Sequence, residues 1–307
     1  MRITLLTYAL LLLCAAQTAS AQTPGSHNTH TLSVDGVERS WNLFIPEQYE
    51  QGTALPLLVE FPATSSSPEW QGQLSTFEKL ASSAGFLIAR PVAIYKREGD
   101  GRISWNVGRA EDGPDDVQFV RLMIAEISRQ FSIDPKRIYA TGFSGGARMS
   151  SRVACDLSDL FAAIGPVAGI RYPENCSPAR PVPVIAFHGK QDPINRYEPD
   201  AESPAHWRMS VEDAIRGWVT QNHCDEVPTE TVVSPTVTRL SYRGCDGGGD
   251  IDFYRSEDGG HTWPGTPLAE TLQKIGMGFT NAEVDATTLL WEFFERHPFL
   301  AATAAGN

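Results

Sequence analysis

The sequence predicts an α/β fold: one domain built on a mostly parallel sheet with helices on both faces. Three observations lead there. Short apolar runs alternate with stretches of helical periodicity, the pattern of strands joined by crossover helices. No internal repeat, Pro- or Ser-rich linker or change of composition divides the 307 residues. And one apolar run, Ile138-Tyr139-Ala140, passes through Gly142-Phe143-Ser144-Gly145-Gly146 straight into a helix-like stretch, residues 147–154. That places a serine at the apex of a strand-to-helix turn.

Residues 1–21 stand outside the fold. Arg2 precedes an apolar run, residues 5–16, and then Ala19-Ser20-Ala21. A charged start, a short hydrophobic stretch and a small-x-small site read as a signal peptide and so as export, to the cell exterior or the periplasm. Residues 22–300 are expected to form the catalytic domain and 301–307 a frayed tail.

Within the domain, residues 31–34 and 40–45 flank an Asp35-Gly36 turn and predict a hairpin. Residues 55–61 read as a buried strand followed by a polar loop, 62–67. Residues 77–84 are helical in pattern, with Gly85 as the C-cap, and 86–91 form the next strand. Residues 95–113 are charged and Gly-rich and carry Trp105. Asp115 opens an amphipathic helix in which Val117, Val120, Ile124 and Ile127 recur at helical spacing. Further strands are expected at 160–167, 181–187, 236–242 and 251–254, and helices at 211–219 and 284–294.

The net charge of −12 argues against nucleic acid or an anionic membrane as partner. No stretch after the leader is long and apolar enough to span a bilayer. Oligomeric state is left open. Of five cysteines, four lie beyond the leader: Cys155, Cys176, Cys224 and Cys245. An even number in an exported chain suggests two disulfides, and the sequential pairing is preferred among the three possible. No Cys-x-x-Cys spacing supports a metal site, and no cofactor is expected.

Ser144 has two readings: a capping serine in a Gly-rich turn, or a nucleophile. A serine hydroxyl needs an imidazole to take its proton and a carboxylate to orient that imidazole. The strand 182–187 ends in His188-Gly189-Lys190-Gln191-Asp192, which offers Asp192 near a strand's carboxyl end. Downstream, Gly259-Gly260-His261-Thr262-Trp263-Pro264-Gly265 offers His261 in a loop after the last strand pair. Of seven histidines, only His206 and His223 compete, and neither has a Gly-rich setting.

Together, residues 138–149, His188-Gly189-x-x-Asp192 and the Gly-Gly-His-x-Trp-Pro-Gly run resemble the secreted esterases of the polyhydroxybutyrate depolymerase type. That group also holds feruloyl and acetylxylan esterases of plant-biomass hydrolysis. The similarity includes Trp105-Asn106, Asp115-Asp116-Val117 and the four cysteines. It implies an α/β-hydrolase fold, with Ser144 as nucleophile, Asp192 as orienting acid and His261 as base. In one place the chain departs: where such esterases carry His-Gly before an oxyanion-hole residue, it reads Phe61-Pro62-Ala63-Thr64. Pro62 has no N–H to donate, so Thr64 is expected to act with Gly145. Trp105 and Trp263 offer a platform for an aromatic acyl group or a sugar, against a plain packing role.

The activity implied is that of a secreted serine carboxylesterase acting on feruloyl or acetyl groups of plant cell-wall polysaccharide. The alternative is hydrolysis of hydroxyalkanoate polyesters or their oligomers. A serine peptidase and a non-catalytic carbohydrate-binding protein are the readings from other classes.

Overall fold

Residues 55–61 are buried at every position, which requires cover on both faces of the sheet that holds them. The computed structural model, which describes residues 23–97 and 99–299, supplies that cover. The leader 1–21 and the tail 301–307 lie outside the described residues.

The chain begins with the hairpin β1 (His27–Val34) and β2 (Val37–Phe44), turning at Asp35 and Gly36, both at positive φ. β3 (Leu55–Phe61) leads to α1 (Pro68–Ser75) and α2 (Phe77–Ala84), and then to β4 (Leu87–Pro91). A two-stranded ribbon, β5 (Tyr95–Lys96) and β6 (Ile103–Ser104), stands apart from the main sheet. α3 (Asp116–Gln130) is capped by the Asp115 side chain, which accepts from Gln118 N–H. β7 (Ile133–Phe143) and α4 (Gly145–Asp156) meet at Ser144. β8 (Ala163–Val167), β9 (Val184–Gly189) and α5 (Val211–Gln221) follow. β10 (Thr229–Ser234), β11 (Val237–Tyr242) and β12 (Ile251–Ser256) complete the sheet, and α6 (Ala269–Lys274) and α7 (Ala286–Arg296) close the fold.

The main sheet runs β1-β2-β4-β3-β7-β8-β9-β12-β11-β10. From β4 to β12 all pairs are parallel; the outer pairs are antiparallel. Alternate residues of β3 divide two cores. Leu57 and Val59 pack with Phe119 of α3, Met149 of α4 and Trp218 of α5. Leu58 packs with Leu74 of α1, Phe77 of α2 and Leu290 of α7. This is the expected single α/β domain.

Some elements have no counterpart in the sequence expectation, among them the β5–β6 ribbon and α6. Residues 68–75, just past the expected polar loop, form a helix set by Ser67 as N-cap and Pro68 in the first turn. β10 is an edge strand exposed along most of its length, so it lacks the alternation that marks a half-buried strand. Cys155 is joined to Cys176 and Cys224 to Cys245, which suits an oxidising compartment.

Strand order also fixes where a site can lie. The chain leaves β3 for β4 on one side, then crosses to β7 on the other, so the carboxyl ends of β3 and β7 border a crevice. Residues 62–64 and Ser144 stand at those ends. Beneath them, buried Glu60 on β3 accepts from Gln71 Nε2 at 2.9 Å and from Arg90 Nε at 2.7 Å. Removing Glu60 leaves the buried Arg90 guanidinium with only Glu78, a partly exposed carboxylate, to compensate it, and the buried side of the pair is then unmatched. Glu60→Ala should lower the unfolding free energy by about 3–5 kcal/mol in urea titration. Removing the exposed Arg129–Glu126 pair should cost under about 1 kcal/mol.

Candidate active site

Gly142 and Gly146 flank Ser144 because two pieces of backbone pass almost in contact. A Cβ at Gly146 would sit 1.9 Å from the carbonyl oxygen of Phe61, and one at Gly142 would sit 2.5 Å from the carbonyl carbon of Gly146. No side chain fits either place. The close passage turns Ser144 to φ 55°, ψ −110°, a conformation costing on the order of 1–3 kcal/mol for a residue with a side chain. Its N–H is anchored on Val167 O at 3.0 Å. The Ser144 hydroxyl does not cap α4, which sets aside the capping role.

Asp192 and His261 lie in the loops that follow β9 and β12, neighbouring parallel strands. Their loops touch backbone to backbone: Gln191 N–H donates to Gly259 O at 3.0 Å, and a Cβ at Gly189 would meet that same oxygen at 2.0 Å. His261 Nδ1 thereby reaches Asp192 Oδ2 at 2.8 Å, with both side chains buried. The other oxygen, Oδ1, accepts the N–H groups of Asn195 at 2.7 Å and Ile194 at 2.8 Å. His188 Nε2 approaches Oδ2 at 3.3 Å and Asn195 O at 2.8 Å. Burial by itself would raise the Asp192 carboxyl, but His261 and His188 outweigh it and hold the pKa below the usual carboxylate range. At neutral pH the acid is therefore ionised, and it keeps the proton on Nδ1 of His261.

The His261 ring lies against Phe143, the residue before Ser144, with centroids 4.9 Å apart. The acid's loop is tied to the same strand ends, Asn195 Nδ2 donating to Ala168 O at 2.8 Å. Serine, acid and histidine thus gather at one rim. Among the described residues no hydrogen bond joins Ser144 Oγ to the other ring nitrogen; such bonds commonly tighten only with substrate in place.

Thr64 stands over Gly145. A Cβ on Gly145 would lie 2.9 Å from Thr64 N and 2.3 Å from Thr64 Oγ1. The N–H of Gly145, in the first turn of α4, has no acceptor within the helix, and the backbone of Thr64 passes close beside that residue. Thr64 Oγ1 shares a hydrogen bond with Ser104 Oγ at 2.9 Å, a partner from the β5–β6 ribbon that nothing in the local sequence marked.

Of the two readings of Trp105 and Trp263, their burial favours the packing role. Trp105 is buried edge-on to Phe61 and donates its indole N–H to Pro62 O at 2.9 Å. Trp263 is buried edge-on to Phe77 and donates to Thr287 Oγ1 at 3.0 Å. Each indole found a polar partner inside the fold, so neither offers a ring face as a platform. Trp105 instead braces the turn that carries Thr64. Two further residues support Asp192: His188, which the sequence marks only as part of the acid's own run, and Asn195, whose role depends on that loop folding back on itself. Among the described residues no three of His, Cys, Asp or Glu are grouped to hold a metal ion, and no helix is long and apolar enough to cross a membrane.

A parallel sheet with a strained serine turn after one central strand, and an acid–histidine pair after two others, defines an α/β-hydrolase. The chain belongs to the Esterase PHB depolymerase family, whose model matches residues 40–209. It is similar to feruloyl esterase B of Piromyces equi, at 32% identity over 76% of this chain and 43% of that protein. It is also similar to the bifunctional acetylxylan esterase/xylanase XynS20E of Neocallimastix patriciarum, at 26% identity over 78% of this chain and 33% of that one. The chain therefore spans less than half the length of these two relatives. In structure it resembles an acetyl xylan esterase from Aspergillus awamori, with TM-score 0.59 at 14% identity over 82% of this chain and all of that one, a likeness of fold.

Two expectations follow. Gly146→Ala should yield insoluble or inactive protein, since the new Cβ meets backbone; soluble expression and 4-nitrophenyl acetate hydrolysis read this. The lowered pKa of Asp192 contributes stability that is present above the unfolded carboxylate value and is lost as pH falls toward the lower folded one. The thermal stability gap between wild type and Asp192→Asn should therefore narrow between about pH 5 and pH 2.

Proposed function

We propose that the chain is a secreted serine carboxylesterase that cleaves feruloyl or acetyl esters on plant cell-wall polysaccharide through an acyl-enzyme. The observation that carries this is the buried His261–Asp192 pair at 2.8 Å, at the same sheet rim as a strained Ser144 whose hydroxyl is not engaged as a cap. His261 takes the proton of Ser144 as the oxygen attacks the ester carbonyl. The N–H groups of Gly145 and Thr64 hold the oxyanion, and losing one such donor costs about 2.7–4 kcal/mol of transition-state stabilisation. His261 then returns the proton to the departing alcohol, and water repeats the sequence on the acyl-enzyme. Asp192 orients the imidazole and stabilises its charged form without taking the proton.

The polysaccharide reading is supported by the names of the two relatives. The second reading, a hydrolase of hydroxyalkanoate polyesters or oligomers, is favoured by the description of the family model. Both use the same chemistry. Release of ferulate from arabinoxylan, set against release of 3-hydroxybutyrate from its polyester, decides between them.

Ser144→Ala should fold with wild-type thermal stability or better, since the strained hydroxyl is not a structural bond. It should lose hydrolysis of 4-nitrophenyl acetate by about 10³-fold or more. An Ala variant with near wild-type turnover contradicts the proposal.

A further inference from the structure

The chain is acidic, at −12, yet three arginines and a histidine gather beside Ser144. Arg148 lies one turn further along α4. It is buried, and its one protein acceptor among the described residues is Asn195 Oδ1, at a long 3.4 Å. Asn195 is the residue whose N–H binds Asp192, so this guanidinium rests on the acid's own loop. Arg171 lies flat on Trp207 at 3.6 Å and donates to two carbonyls, Met209 O at 2.6 Å and His206 O at 3.0 Å. Arg97 grips both oxygens of Asp100 through Nε and Nη2, and its remaining nitrogen, Nη1, approaches the His206 ring at 3.1 Å.

Buried arginines elsewhere in the fold have carboxylates: Arg39 has Asp116 at 2.6 Å and Arg90 has Glu60 at 2.7 Å. Among the described residues neither Arg148 nor Arg171 has one within ion-pair distance. Arg171 is satisfied by carbonyls and an aromatic face and reads as structural. Arg148 is not: among the described residues its other N–H groups have no protein acceptor, and with the residue 6% exposed they keep only slight contact with solvent. Burial first, and the neighbouring arginines second, drive protons away from His206, to a pKa of about 4. Like charges held together in low-dielectric surroundings repel, and an incoming anion relieves that repulsion. Ile194, on the loop of Asp192, and Phe279, whose carbonyl accepts from Gly260 N–H beside His261, are exposed and apolar.

We propose that Arg148 and Arg97 receive a carboxylate borne by the substrate, so that the enzyme selects esters of acidic molecules. This rests on the serine-esterase reading and narrows its substrate class. The anion comes from one of two sources, the free acid end of a hydroxyacid oligomer or a uronic acid of a polysaccharide.

Paired substrates test it. The first pair is the 3-hydroxybutyrate dimer as free acid and as methyl ester. The second is an acetylated, uronate-bearing xylo-oligosaccharide and its carboxyl-reduced form. In at least one pair kcat/KM should favour the anion by roughly tenfold, the scale of a charge-assisted hydrogen bond, and that pair names the source. The ratio should collapse toward one in Arg97→Gln and in Arg148→Gln, recover in part in Arg148→Lys, and shrink with added salt. Arg97 lies outside the core, so its variant keeps the test alive if Arg148→Gln does not fold. Equal or faster hydrolysis of both neutral members, or a ratio untouched by Arg97→Gln, overturns the proposal. Calorimetric binding of the acids to Ser144→Ala, with and without Arg97→Gln, separates the two readings. An anion site that binds in a chain hydrolysing none of these esters sinks the esterase reading alone. Hydrolysis with no anion preference sinks this inference alone.

Discussion

The structure depends on one close passage of backbone, the first turn of α4 against the end of β3. Gly146 comes so near Phe61 that no side chain fits between them. Parallel pairing of Phe61 with Gly142 holds the two segments in register, and the helix has nowhere else to start. The turn at Ser144 must then adopt a left-handed conformation that a residue with a side chain avoids when free to choose. The same passage sets Gly145 beneath Thr64. The strained Ser144 and the closeness of Gly145 to Thr64 are thus consequences of one packing constraint rather than separate features.

A second contact of the same kind ties the acid to the base. Gly189 and Gly259 let the loops after β9 and β12 meet through their main chains, and the His261–Asp192 bond follows from that meeting. The carboxylate is surrounded on all sides: two backbone N–H groups on one oxygen, two imidazoles on the other. This offsets the cost of burying its charge and keeps the histidine in one tautomer. His188 is the less expected member. It stacks on Trp207, which in turn carries Arg171 on its face, so the acid's support is continuous with the arginine cluster.

Much of this was legible in the sequence because it is local. Ser144 in a strand–turn–helix context, Asp192 past a strand end and His261 among glycines each declare themselves within about ten residues. So do Asp115 as a cap, Gly85 as a helix end and the apolar run of β3. What was not legible is whatever only the fold assembles. The edge strand β10 is exposed and carries no buried face to betray it. Trp105 and Trp263 sit in Gly-rich stretches that look like ligand surfaces, but the partners that bury them, Pro62 O and Thr287, are distant in sequence. Ser104 meets Thr64, and Arg97 meets His206, across similar gaps. Arg148 looks like an ordinary helix residue until the acid's loop closes over it.

The central claim is that Ser144 is made reactive by this arrangement. Treating the folded protein with a fluorophosphonate probe and mapping the adduct by peptide mass spectrometry tests it directly. The account predicts one stoichiometric adduct, on Ser144, that forms far more slowly when His261 is replaced by alanine. An unlabelled Ser144 in folded protein, or labelling that proceeds equally fast without His261, contradicts it.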